Sequence, residues 1–293
     1  MAIFLILPSD MKRKIAGKEV FAIGLGAMPL SLKTRPPEKN AIGVIHKAID
    51  LGVNFIDTAD VYCMDDEDIG HNERLIAKAL KEKNTLSSVF VATKGGLRRP
   101  GGAWTTDARP SHLREACENS LKALRVESLF LYQLHAPDDN VPFADSVGAL
   151  AKLKEQGKIQ NIGISNVSLD ELNEAQKIVQ IESVQNRCNP FSKRDFENGL
   201  IMACKEQNVT YLPHSPVGGH MGHQSLMQHH SLKEMAKKYH ANPYQLVLAW
   251  FLKKGDHILP IPGASKISSI QSSVEATNIQ LSKEDVQLID DLC

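Results

Sequence analysis

The sequence predicts an α/β protein built as a (β/α)8 barrel, with an N-terminal β-hairpin closing its bottom. Three observations carry that expectation. Eight short apolar runs, rich in β-branched and aromatic residues, alternate with amphipathic helical patterns along the 293-residue chain. Each run ends in polar residues, as barrel strands do when they deliver side chains to one face. Three successive runs end in ionisable groups: Asn54-Phe55-Ile56-Asp57, Val89-Phe90-Val91-Ala92-Thr93-Lys94 and Leu129-Phe130-Leu131-Tyr132-Gln133-Leu134-His135. As parallel neighbours they would bring Asp57, Lys94 and His135 to one rim, with Tyr62 in the loop five residues past Asp57. Singly, a capping Asp, a solvated Lys and a core His are commonplace; their recurrence at one topological position is not.

The elements follow in order. Met11 to Ile15 and Val20 to Leu25, joined through Ala16-Gly17-Lys18, read as a hairpin leading into the first barrel strand. Gly24-Leu25-Gly26 is not a dinucleotide fingerprint, because Pro29 takes the sixth position and no helical pattern follows. Close backbone approach of a loop to a ligand is the better reading of that Gly-x-Gly. Pro37 opens a helix to about Leu51, with Gly52 as its stop, and the second strand ends at Asp57. His71 starts the next helix. After Lys94, Gly95 to Asp107 reads as a long loop carrying Trp104, a candidate pocket wall. Ser111 is expected to cap the helix through Leu124, and Pro142 to open the one through Gln156. The fifth to eighth strands are Ile159–Asn166, Ser183–Asn186, Val209–Pro216 and Ile258–Gly263. Helices are expected at Leu169–Val179, Phe196–Asn208, Ser231–Tyr239 and Pro243–Lys254. Residues 1–10 read as an N-terminal extension, and 11–293 as a single domain.

Composition narrows the class of function. The 34 basic residues balance 34 acidic ones, so no electrostatic footprint for nucleic acid or an anionic membrane exists. No apolar run approaches the roughly 20 residues that span a bilayer. Five scattered cysteines, Cys63, Cys117, Cys188, Cys204 and Cys293, contain no C-x-x-C pair and suit the reducing cytoplasm. His220, His223, His229 and His230 lack the spacing of metal ligands and read as a polar surface loop, so no metal is expected. A small-molecule partner remains.

The rim residues divide the labour of proton transfer. Free tyrosine, with a pKa near 10, is a poor acid or base at neutral pH, and an adjacent ammonium lowers it. Asp57 would orient Lys94, Lys94 would tune Tyr62, and Tyr62 would exchange a proton with a substrate oxygen whose direction His135 fixes. Nothing here supplies electrons, so a hydride donor is needed. Ser165, Asn166 and Gln185 offer what a nicotinamide carboxamide requires, and Gly263-Ala264-Ser265-Lys266 precedes a helix N-terminus suited to phosphate.

Over Met11 to Leu292 the sequence resembles the aldo-keto reductase superfamily. The residues that carry the resemblance are Asn54-Phe55-Ile56-Asp57-Thr58-Ala59 with Tyr62, His71-Asn72-Glu73-Arg74-Leu75-Ile76, Lys94, and Leu131-Tyr132-Gln133-Leu134-His135. Gly157-Lys158-Ile159, Gly163-Ile164-Ser165-Asn166, Gln185-Asn186 and Ile261-Pro262-Gly263-Ala264-Ser265-Lys266 extend it. The resemblance implies a TIM barrel that reduces aldehydes or ketones with NADPH, with Asp57, Tyr62, Lys94 and His135 as a catalytic tetrad and Tyr62 as general acid. It places the carboxamide on Ser165, Asn166 and Gln185, the nicotinamide ring against His214, and the pyrophosphate along Ser215, Pro216, Val217 and Gly218. Gly26, Ala27, Met28, Asp57 and Gly263 would also line the cofactor, and Met28 and Trp104 the substrate. Two departures stand out: many members have Tyr where this chain has His214, and a Lys and an Arg at positions matching Gly263 and Ser269. Here Lys266 supplies the charge for a 2′-phosphate, backed by Ser265, Ser268, Ser269, Ser272 and Ser273, so NADPH is expected with NADH or dual use open. Parts of the chain around Tyr211 and Ser231 also resemble bacterial members acting on pyridoxal. The alternative function is a cofactor-binding regulatory subunit with slow or vestigial reductase activity. A metal-dependent barrel hydrolase would need a His-x-His after the first strand, and Phe21 to Met28 contains no histidine.

Overall fold

The computed structural model describes residues 11–292; the extension expected over residues 1–10 lies outside the described residues. β1 (Lys12–Ile15) and β2 (Lys18–Phe21) form the expected hairpin. Its two central residues, Ala16 and Gly17, both have positive φ (48° and 72°), the backbone of a tight turn that matches strand twist. Ile15 and Val20 sit in one apolar cluster with Phe55, Ala92, Leu131, Leu212, Leu259 and Ile261, so the hairpin plugs the bottom of the barrel. Burial of each large side chain there contributes roughly 1.5–3 kcal/mol. Arg13 fastens the plug: its guanidinium, 5% exposed, donates to the carbonyls of Ile258 (3.2 Å) and Leu252 (2.9 Å).

The barrel strands are all parallel. β3 (Leu25–Gly26), β4 (Phe55–Asp57) and β5 (Phe90–Gly95) precede a small outer ribbon, β6 (Leu97–Arg98) with β7 (Thr105–Thr106). β8 (Leu129–Leu134), β9 (Ile159–Ser165), β10 (Ser183–Arg187) and β11 (Thr210–His214) complete a seven-stranded sheet in sequence order. The eighth segment closes it. Leu259 N–H donates to Tyr211 O (2.9 Å), while Gly24 and Gly26 N–H donate to Pro260 O (2.9 Å) and Pro262 O (3.0 Å). Pro260 and Pro262 have no N–H to return, so this strand joins through isolated bridges and not a full ladder. Gly26 is where the closure is tightest, since a Cβ there would lie 2.7 Å from Ile261 O. Its small size thus serves the barrel's own backbone.

Around the barrel run α1 (Glu38–Asp50), α2 (His71–Lys83), α3 (Pro110–Leu124), α4 (Phe143–Glu155), α5 (Leu169–Ile178), α6 (Arg194–Glu197), α7 (Leu200–Glu206), α8 (Gly219–Gln228), α9 (His230–Lys238), α10 (Pro243–Lys254), α11 (Ile267–Glu275) and α12 (Lys283–Asp290). Four local expectations are corrected. The helix expected over 196–208 is two, because Gly199 at φ 83° ends one and starts the next. Arg109, not Ser111, precedes α3, and Pro110 takes its first turn. The loop over 95–107 folds on itself as the β6–β7 ribbon. The histidine-rich stretch expected as a loop is mostly α8, with His223 stacked on Tyr244 at 4.2 Å and His229 packed on Phe191. Among the described residues no three His, Cys, Asp or Glu side chains converge as metal ligands, and no helix is long and apolar enough to cross a membrane.

Candidate active site

Strand alternation builds the site. On β4, Phe55 points into the barrel, Ile56 outward to the helices and Asp57 inward again. On β5 the inward residues are Ala92 and Lys94, and on β8 Leu131 and Gln133, with His135 just beyond the strand. Apolar residues therefore fill the lower layer, and polar ones the layer above. Lys94 Nζ is wholly buried and donates to Asp57 Oδ2 (2.7 Å), the Thr58 carbonyl (2.7 Å) and Tyr62 Oη (3.1 Å). Asp57 Oδ1 accepts from Gln185 Nε2 (2.7 Å) and Gln133 Nε2 (3.3 Å). Asp57, Tyr62 and Lys94 thus form one hydrogen-bonded unit, and the His135 ring stands edge-on to Tyr62 with centroids 5.8 Å apart.

Burial works against the Lys94 charge, yet Asp57 and then Tyr62 outweigh it and hold the ammonium above its ordinary pKa. The Tyr62 phenol is raised, mainly by burial, with Lys94 pulling it down by less. That corrects the expectation of a lowered phenol: the ammonium's pull is present, and desolvation exceeds it. A neutral phenol beside a permanent cation is poised to give a proton. Burial, then Lys94 and His214, push His135 well below the usual histidine range, so its ring is neutral at pH 7. Its Nδ1 is buried without a partner, and the backbone on either side is anchored through His135 N–H to Gly95 O and Asn166 Nδ2 to His135 O. Behind Lys94, Asp60 and Glu73 are buried acids, both raised by desolvation. Thr93 donates to Glu73 at 2.6 Å from the outward face of β5.

The family model described as "Aldo/keto reductase family" matches residues 22–293. The chain belongs to the aldo-keto reductase family. It is accordingly an NAD(P)H-dependent oxidoreductase acting on carbonyl groups, and its closed sheet with outer helices is the family's (β/α)8 barrel. It is 33% identical over 302 residues to a probable aldo-keto reductase 1 of Glycine max, covering 93% of this chain and 85% of that one. The thermostable aldo-keto reductase Tm1743, solved with the inhibitor epalrestat, superposes with a TM-score of 0.82 at 29% identity, over 97% of this chain and all of that one. An aldo-keto reductase from Klebsiella pneumoniae, solved with NADPH, matches with a TM-score of 0.78 at 25% identity, over 96% and 95%.

In this aldo-keto reductase the residues expected at the cofactor fall into two groups. At the rim, Ser165 Oγ donates to Gln185 O (2.6 Å), and Asn166, at φ 58°, links His135 O to His214 Nε2 (3.3 Å). Gln185 spends its amide N–H on Asp57. Ser215, at φ 53°, turns the chain through Pro216 and Val217 to Gly218, which precedes α8. Ala27 N–H meets Asp57 O, and Met28 packs against Tyr62. The second group surrounds the start of α11. No side chain caps that helix, so its first N–H groups are free beside Ser265, exposed Lys266 and Ser269; these residues fit a phosphate. Gly263 bridges to Gly26. Ser272 accepts from Asn242, and Ser273 donates to Ser269 O, one turn deeper in the helix. Trp104 lies beside Tyr62, with centroids 6.5 Å apart. Gln133 escaped the sequence reading. Its signal was a lone amide in an apolar strand, two residues before His135 and hence on the same face.

Proposed function

We propose that this aldo-keto reductase reduces an aldehyde or ketone with NADPH, Tyr62 acting as the general acid. A nicotinamide nucleotide held at this rim would supply hydride for the carbonyl carbon. Tyr62 Oη then gives its proton to the carbonyl oxygen, and the Lys94 ammonium at 3.1 Å stabilises the phenolate left behind. Asp57 keeps Lys94 charged and fixed. Neutral His135, edge-on to Tyr62, supplies the hydrogen bond that directs the carbonyl oxygen towards Tyr62. Met28 and Trp104 wall the substrate. Ser165, Asn166 and Gln185 would hold the carboxamide, His214 would stand against the ring, and the uncapped start of α11 with Lys266 would favour the extra phosphate of NADPH over NADH. Four buried free thiols, Cys63, Cys117, Cys188 and Cys204, suit a reducing cytoplasm.

The observation that carries this reading is the single buried lysine shared between a carboxylate and a phenol. The test is loss of nicotinamide absorbance with reactive aldehydes, for the native enzyme and Tyr62→Phe. A fall of roughly 10²–10⁴-fold in kcat is expected for the variant, with a lower KM for NADPH than for NADH in the native protein. Equal rates for the two proteins would remove Tyr62 from its role.

A further inference from the structure

Arg99, at the base of the β6–β7 ribbon, is a cation that the mechanism leaves unused. Its side chain is nine-tenths buried, the residue being 6% exposed. One nitrogen, Nη2, donates to the carbonyls of Cys63 (3.2 Å) and Met64 (2.9 Å). Nε and Nη1 are buried without an oxygen or nitrogen partner, the Cys63 thiol being the polar side chain against the guanidinium. The carboxylates of neighbouring loops are engaged elsewhere: Asp68 with Arg35, Asp107 with Arg98 and Arg109, and Asp66 with the Gly101 amide. An unpaired buried guanidinium is costly, and such a group calls for an explanation.

One face of it is stacked on Trp104. The guanidinium carbon lies 4.0 Å from the centre of that ring, and the ring is itself 46% exposed. A cation–π contact uses the face of a guanidinium and leaves its in-plane N–H donors unmet. The same ring stands edge-on to Tyr62, whose hydroxyl marks the reacting oxygen in the reading above. Trp104 therefore touches both the proton donor and the unsatisfied cation. Its neighbours Ala103, Thr105 and Thr106 are exposed as well, so this part of the wall faces solvent.

We propose that Arg99 is the anchor for a carboxylate on the substrate, so that the enzyme takes oxo-acids whose acid group lies about one ring's breadth from the carbonyl. The planar fork of Nε and Nη1 matches a carboxylate's two oxygens, and the exposed Trp104 ring stacks on the intervening carbons. The proposal rests on the reductase reading and specifies its substrate class.

The test compares 4-carboxybenzaldehyde with its methyl ester, a neutral analogue of the same reach, using NADPH and the native enzyme. The acid is expected to have the higher kcat/KM by about tenfold or more, carried by KM. Arg99→Gln is expected to erase that preference and Arg99→Lys to keep part of it. Benzoate is expected to inhibit the native enzyme far better than benzamide, a comparison that needs no variant to fold. If acid and ester react alike and benzoate inhibits no better than benzamide, the Arg99 assignment falls while the reductase reading stands. If neither aldehyde is reduced, the reductase reading falls and takes this assignment with it.

Discussion

Arg13 and Lys94 are cations buried at opposite ends of one barrel, and the protein holds them in different ways. Arg13, at the bottom, is surrounded by backbone carbonyls, with its closest carboxylate on Asp256 out in solvent. Burial pulls its pKa down, offset in part by Asp256, and the guanidinium remains charged. Lys94, at the top, shares its ammonium between a buried carboxylate and a phenol, and its pKa is held up. A cation satisfied by carbonyls has nothing to exchange a proton with and can only brace. A cation satisfied by an acid and a phenol sets the charge of both. Burial of a charge is therefore a poor marker of chemistry until its partners are named.

Replacing each cation is the sharpest way to break the comparison. Lys94→Met leaves Asp57 as an uncompensated buried charge, and a loss of about 3–5 kcal/mol is expected in chemical denaturation. Its kcat should fall by roughly 10²-fold or more, in parallel with Tyr62→Phe. Arg13→Met orphans the carbonyls of Ile258 and Leu252, and a smaller loss of about 1–3 kcal/mol is expected with kcat retained. An Arg13 variant that folds well but has lost turnover would show that the two ends are coupled.

Acidification should separate the ends further. Burial holds His135 well below its ordinary 6.5 and His214 at about 4. As the pH falls below 6.5 the unfolded chain takes up protons that the folded chain refuses, so stability falls with pH until the folded values are reached. For His214 the loss by pH 5 is up to about 2 kcal/mol. Urea midpoints measured from pH 7 to pH 5 should drop in both the native protein and Arg13→Met, and slightly less in Arg13→Met, because His135 and His214 sit at the far end while Arg13 helps burial to hold down His257 beside it.

How much of this was legible in the sequence follows from range. Asp57, Lys94 and His135 could be read because a strand's end is announced locally, by apolar residues stopping at a charge. Tyr62 followed because the loop is short. The reach of Gln133 and Gln185 to one Asp57 oxygen was not legible, since it depends on which strands become neighbours across 76 and 128 residues of chain. The net upward shift of Tyr62 was missed for a related reason: the ammonium beside it could be inferred, whereas the depth of burial could not. Gly199 inside a helical pattern and the ribbon over 95–107 were local signals read too smoothly. Arg99 stood in a glycine-rich loop, where nothing in the sequence distinguishes a solvated arginine from an enclosed one.

The two prolines of the closing strand leave a lasting mark on the barrel. Pro260 and Pro262 take hydrogen bonds from Gly24 and Gly26 and return none, so the cylinder has a seam stitched from one side only. That seam runs up to Gly263 and on to Lys266, where the phosphate end of the nucleotide is proposed to lie. A nucleotide gripped there would act as a clasp across the weakest line of the wall, and amide exchange along Gly24 to Gly26 would slow when it binds.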